Sequence, residues 1–287
     1  MSRTTLECKW LLLSAVVAVL VCGALGAGGA EAAVGQHHDE LLPLYDNPSD
    51  LTFASDWQNA CSQSYGGHGG SYIIADPQPG AGPGTAAVQA WSKVFMSCSA
   101  KGRASVLGYV YTDYGRRSIA SIEQDIDRWY KFYPGEIAGI FFDQTSDAQP
   151  GTTINNSAIY QTLASYVHQH ERGNGEVVFN FGANPSSGWM LAGSNAKNAD
   201  IVVTFEGSYN DPGLNPYTAW AQASWETAYP AGDFAAMIYD TANALYASPS
   251  SYLTACASLN SQRVKYVSVG TWYDALPPFW SSFLTAC

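Results

Sequence analysis

Basic residues are scarce: 13 Lys and Arg stand against 24 Asp and Glu, a formal charge of −11. That balance argues against nucleic acid or an anionic membrane as partner, because both would be repelled. A neutral or cationic ligand fits, and so does acidity that merely keeps an extracellular protein soluble. Metal-ligand spacing is missing too. No C-x-x-C pair occurs, and the five histidines, His37, His38, His68, His168 and His170, share no helix face and are expected in solvent. No metal and no other cofactor is therefore expected. There is no nucleophile elbow of the serine-hydrolase kind, and no Gly-rich phosphate fingerprint follows the first strand-like run. Past residue 33 no apolar run is long enough to span a bilayer. Charged residues are few, at 13%, but 47% of the chain is hydrophobic, enough for a buried core and too much for disorder.

What is present begins with a targeting pattern. Arg3 and Lys9 precede an apolar run from Trp10 to about Leu25, then small residues up to Ala33. This is the layout of a secretory signal peptide, so residues 1–33 are expected to be cleaved and the protein to be secreted, in the extracellular space or at the cell wall. An uncleaved anchor is the alternative, disfavoured by the shortness of the run. Cys8 and Cys22 would leave with the signal. Cys61, Cys98, Cys256 and Cys287 remain, an even number in an oxidising compartment. Of the three possible pairings, Cys61 with Cys98 and Cys256 with Cys287 is favoured, since each would join neighbouring elements.

Eight short runs rich in β-branched and aromatic residues recur every thirty-odd positions: Glu40–Tyr45, Ser71–Asp76, Ala104–Thr112, Ile137–Asp143, Glu176–Phe181, Asp200–Glu206, Phe234–Asp240 and Val264–Trp272. Several are too continuously apolar for a sheet with one wet face, which marks buried parallel strands. Helical spacing separates them. Ile119, Ile122, Ile126, Trp129 and Tyr133 form one stripe, and Ile159, Leu163, Tyr166 and Val167 another. Further helices are expected near Asp50–Tyr65, Thr85–Ala100, Asn215–Tyr229 and Asn243–Ser258, while 181–200 is too short for a long one. Alternating strands and helices predict an α/β fold, a (β/α)8 TIM barrel forming a single domain over residues 34–287, with an open doubly wound sheet as the alternative.

Barrel enzymes carry their reacting groups at the carboxyl ends of strands. Those ends supply Tyr45 and Asn47, Asp76, Tyr111 and Asp113, Asp143 and Gln144, Asn180, Glu206 followed by Tyr209, Tyr239 and Asp240, and Trp272 and Tyr273. Alternation groups Gly139, Phe141 and Asp143 on one face of the fourth strand, and Val202, Thr204 and Glu206 on one face of the sixth; Asn180 shares its face with Val178. If these faces point inward, Asp143, Asn180 and Glu206 converge from three adjacent strands. Two neighbouring carboxyls have their pKa values driven apart, as glycoside hydrolysis requires. A strand-end Asp can equally cap the following helix. Glu206, ending an apolar strand, has no such structural use. Asp143 and Glu206 are therefore the candidate catalytic pair, with Glu206 expected as nucleophile or base and Asp143 as acid. The other strand-end residues are candidates for substrate binding. Trp272 and Tyr273 read as sugar platforms, Trp225 as packing. The Asp76–Gly84 loop, rich in Pro and Gly, falls on the same face, and Asn155-Asn156-Ser157 is a weak N-glycosylation acceptor.

Leu42-Pro43-Leu44-Tyr45, the Asp76–Gly84 loop, Val106 through Thr112, Asp125-Ile126 with Trp129, and Gly139-Ile140-Phe141-Phe142-Asp143 together resemble the spherulation-specific, spherulin 4-like family. The likeness extends through Glu206 to Trp272-Tyr273. It implies a (β/α)8 fold and, for the branch classed as glycoside hydrolase family 135, endo-acting cleavage of α-1,4-linked N-acetylgalactosamine in galactosaminogalactan. The acidic cluster carries over onto Asp143 and Glu206. That branch has a second acid directly after the aspartate, where this chain has Gln144. An amide cannot be acid or nucleophile, so the rival expectation is a secreted carbohydrate-binding or cell-wall protein that kept the barrel without catalysis. A third expectation, drawn from the charge, is action on deacetylated galactosamine. The partner in every case is a polysaccharide met by a monomer.

Overall fold

The computed structural model describes residues 38–286 apart from 51–53, 64–69, 78–79, 83–84, 102–103, 171–174, 192–197, 210, 212, 214–215, 240–256, 260, 271–272 and 274. Eight parallel strands close into a barrel in chain order: β1 (Asp39–Pro43), β2 (Ser71–Ala75), β3 (Ala104–Tyr111), β4 (Gly139–Asp143), β5 (Glu176–Asn180), β6 (Ile201–Ser208), β7 (Phe234–Tyr239) and β8 (Tyr266–Val269). β1 closes the ring on β8, with Asp39 opposite Tyr266. This is the (β/α)8 architecture expected, all within one unit, Gly35–Cys287. The described α-helices are α1 (Ala54–Gln63), α2 (Thr85–Lys101), α3 (Ile119–Phe132), α4 (Ser157–His170) and α5 (Trp280–Ala286).

Alternation along the strands builds two hydrophobic shells. Inside the barrel Leu41, Ile74, Leu107, Phe141, Val178, Val203 and Met237 pack together, with Tyr72 and Tyr266 nearer the strands' amino ends. Outside it Val106, Ile140, Phe142, Val177 and Phe179 meet Trp57, Phe95, Trp129 and Leu163 of the helices. Ser118 caps α3, whose Ile122, Ile126 and Trp129 are buried. Trp129 lies flat on Gly108, where a Cβ would stand 2.4 Å from the ring, and its indole N–H donates to the Tyr109 carbonyl at 3.0 Å. A missing side chain on β3 thus lets α3 lock the strand that carries Tyr109. Cys61 and Cys98 form a disulfide joining α1 to α2, as expected. Cys256, Cys287 and residues 1–33, where a signal peptide is expected, lie outside the described residues.

Four local expectations are corrected. Within 215–229 the described residues form two short 3-10 turns, Tyr217–Ala219 and Ser224–Ala228, instead of an α-helix. Its aromatic spacing is consumed by tertiary packing: Tyr217 and Trp220 sit against Phe205, and Trp225 packs on Phe234 with its N–H on the Pro185 carbonyl. On α4 the buried face is Tyr160, Leu163, Ala164 and Val167, so Ile159 and Tyr166 are only half-buried. His38 is buried, its Nδ1 against the Val264 carbonyl at 2.9 Å, and His170 pairs with Asp127 at 2.9 Å while stacking on Tyr130. The fourth correction bears on the site. β6 carries a bulge against β7, between Val203 and Phe205, so simple alternation fails there. Val203 faces the barrel interior and Val202 the helices, while Thr204 is the extra residue. The bulge resets the phase, and Glu206 points inward for that reason. The expected grouping of Val202, Thr204 and Glu206 on one face does not exist. The helix expected at Asn243–Ser258 lies almost wholly outside the described residues.

Candidate active site

Three adjacent strands deliver the centre of the site. Asp143 ends β4, Asn180 ends β5, and Glu206 follows the bulge of β6. The Asn180 side chain is buried and fully committed. Its Oδ1 accepts the Gly182 N–H at 2.9 Å, which fixes the amide so that Nδ2 faces the acids. Nδ2 then donates to Asp143 Oδ1 at 2.8 Å and to Glu206 Oε2 at 2.6 Å. Gly182 permits this through a left-handed φ of 65°, which also presents its carbonyl to the Glu206 N–H at 3.0 Å. Contacts of 2.8 and 2.6 Å to one nitrogen hold the two carboxyl oxygens within about 5.4 Å of each other, the collinear limit.

Tyrosines close the other sides. Tyr109 on β3 donates its hydroxyl to Asp143 Oδ2 at 2.7 Å, and the Tyr273 hydroxyl donates to Glu206 Oε1. Tyr45, after β1, places its ring edge-on to both Tyr109 and Tyr273, and Tyr239 meets Tyr273 edge-on at 6.0 Å. Burial first, and then the charge of Asp143, push the Tyr45 and Tyr109 phenols well up; burial and then Glu206 do the same for Tyr273. All three phenols therefore remain donors. Burial also pushes the Glu206 carboxyl up, reinforced by Asp143; the hydrogen bonds from Tyr273 and Asn180 oppose this without cancelling it. The centre consists of one carboxyl biased towards its protonated form and a second held within reach by a shared amide.

The structure brings Tyr45, Asp143, Asn180, Glu206, Tyr239 and Tyr273 together, with Asp76 close enough to add its field at Tyr45. Tyr111 and Gln144 stand on the rim, Gln144 with a left-handed φ of 54° and its carbonyl taken by the Tyr114 N–H and the Thr112 hydroxyl. Others lie apart. Asn47 is exposed and uses its side chain on the Ser49 N–H; Asp113 pairs with Arg116 at 3.5 Å; Tyr209 stacks on Tyr217. Tyr273 is half-buried and commits its hydroxyl to Glu206. Asp240 and Trp272 lie outside the described residues. Tyr109 is missed by a reading of strand ends alone, although alternation from Leu107 puts it on the inner face. Among the described residues no group of three or more His, Cys, Asp or Glu could hold a metal ion.

The family model of spherulation-specific family 4 matches residues 40–287. Spherulin-4 of Physarum polycephalum is 25% identical over 184 residues, 64% of this chain and 49% of that protein. The chain thus spans about half the length of this curated relative. Among solved structures, the crystal structure of Aspergillus clavatus Sph3 in complex with GalNAc superposes with a TM-score of 0.66 at 19% identity, covering 88% of this chain and 98% of that one. That likeness is one of fold.

Proposed function

Starting from the fact that the chain belongs to spherulation-specific family 4, we propose that it is a secreted glycoside hydrolase acting within a polymer of α-1,4-linked N-acetylgalactosamine. One observation carries the reading: Asp143 and Glu206 share the Asn180 amide at the carboxyl end of the barrel, with Glu206 raised by burial. The bound GalNAc of the Sph3 crystal structure, on the same fold, supports the sugar class.

The roles exchange relative to the sequence expectation. Glu206 is the acid, because burial favours its protonated form, and it delivers that proton to the leaving glycosidic oxygen. Asp143 is the nucleophile, oriented by Tyr109 and Asn180. With their nearest oxygens no more than about 5.4 Å apart, the two carboxyls leave less room than the ~6.5–9.5 Å of inverting enzymes, which favours the retaining course. Glu206 would then return as base for the water that releases Asp143.

Glu206→Gln tests the reading. It is expected to abolish release of reducing ends from poly-N-acetylgalactosamine while the fold, followed by melting, persists. Unaltered turnover in that variant removes Glu206 from the mechanism. A wild type that binds the polymer and never cleaves it establishes the non-catalytic reading that Gln144 motivates.

A further inference from the structure

Resting on that hydrolytic reading, we infer that the cavity between the end of β3 and α3 is a second sugar subsite, which takes a unit of the chain away from the cleaved bond. The cavity measures about 430 Å³, within the ~300–1,000 Å³ of small-molecule sites. Asp76, Gly80, Tyr109, Tyr111, Asp125 and Arg128 line it. It adjoins the acid pair through Tyr109, which lines the cavity and also donates to Asp143 at 2.7 Å.

Tyr111 is its aromatic wall. The ring is 45% exposed, yet it is held. The Arg117 guanidinium lies 4.2 Å from the ring centroid and donates to the Tyr111 carbonyl at 2.7 Å, to Ser121 Oγ at 2.9 Å and to Asp125 at 2.6 Å. One face is thus covered by a fixed cation, leaving the other for the C–H face of a pyranose at little entropic cost. Just beyond, Asp113 and Tyr114 hold left-handed backbone at φ 51° and 55°, a conformation costly for residues other than glycine and concentrated at binding sites.

The polar lining carries both signs. Asp76 and Asp125 are acceptors and Arg128 is a donor, with Asp125 also paired to Arg117 at 2.6 Å and 3.9 Å from Arg128. Sugar hydroxyl and acetamide groups, which both donate and accept, are met by such a set.

The test uses the full chain with a hexamer and a dimer of α-1,4-N-acetylgalactosamine. Affinity is measured calorimetrically in the Glu206→Gln background, and the lengths of the cleavage products in the active protein. Tyr111→Ala and Arg128→Ala are each expected to weaken hexamer binding about ten-fold, to affect the dimer less, and to shift the product lengths. A structural role alone would lower all rates together and leave the product lengths alone. A wild type that cleaves the hexamer while both variants keep its affinity and its products overturns the subsite and spares the hydrolytic reading. A wild type that neither binds nor cleaves overturns both.

Discussion

The substitution Asn180→Asp exchanges one NH2 for an oxygen and nothing else, at the point where two carboxyls meet. The amide donates at 2.8 Å to Asp143 and at 2.6 Å to Glu206, and a hydrogen bond is worth ~1.5–3 kcal/mol to an ionised group and ~0.5–1.5 kcal/mol to a neutral one. At pH 4 the introduced carboxyl, when protonated, can restore one of the two, so the variant should lose about 0.5–3 kcal/mol, according to which bond is kept. As pH rises, three carboxyls at hydrogen-bonding distance in a buried place cannot all ionise. The folded-state pKa of the introduced group is then above its unfolded value of ~3.9. Stability contributed by such a group is complete below the unfolded pKa and disappears as pH climbs through the folded one. Each extra proton the folded state must keep costs up to ~1.4 kcal/mol per pH unit. The gap to wild type should therefore widen between pH 4 and 7, consuming much of the ~5–15 kcal/mol of an ordinary domain. Urea unfolding followed by tryptophan fluorescence at pH 4, 5.5 and 7 measures it. A gap under ~1 kcal/mol that stays constant with pH would refute the shared amide.

Tyr273→Phe removes a donor that lowers the Glu206 pKa, so that pKa rises further. The alkaline limb of the rate profile, where Glu206 loses the proton it must deliver, should move to higher pH; a limb that stays or moves lower contradicts the acid role. Cys98→Ser opens a disulfide spanning 37 residues, and loop-closure entropy assigns about 4 kcal/mol to it, read from the urea midpoint of the variant. Gly108→Ala forces a methyl to within 2.4 Å of the Trp129 ring. It should cost at least ~1–3 kcal/mol and alter the Trp129 emission; wild-type stability would show that α3 can slide off β3.

The barrel is legible in the sequence because its strands are buried on both faces and so appear as apolar runs, each ended by polar residues at one rim. Asp143 and Asn180 follow from alternation, since β4 and β5 are regular. Glu206 is reached on a false premise: the bulge that turns it inward depends on pairing with Ala235 and Ala236 of β7, and no local residue announces that. Tyr109 escapes for a related reason. It lies two residues before the end of β3, and the depth to which a side chain reaches the mouth depends on barrel tilt, not on position in the run. The 3-10 turns around Tyr217 and Trp225 reflect a contest between helical spacing and aromatic packing, which the partners Phe205 and Phe234 decide.

Because Leu41, Ile74, Leu107, Phe141, Val178 and Met237 fill the barrel axis below the carboxyls, these side chains leave solvent no passage from underneath. For the proposed hydrolysis, the attacking water would then arrive by the same doorway as the sugar chain. In the proposed mechanism the proton that Glu206 gives to the leaving oxygen returns from the water that releases Asp143. That water enters only when the leaving part of the polymer clears the doorway, which ties the rhythm of turnover to the motion of the chain.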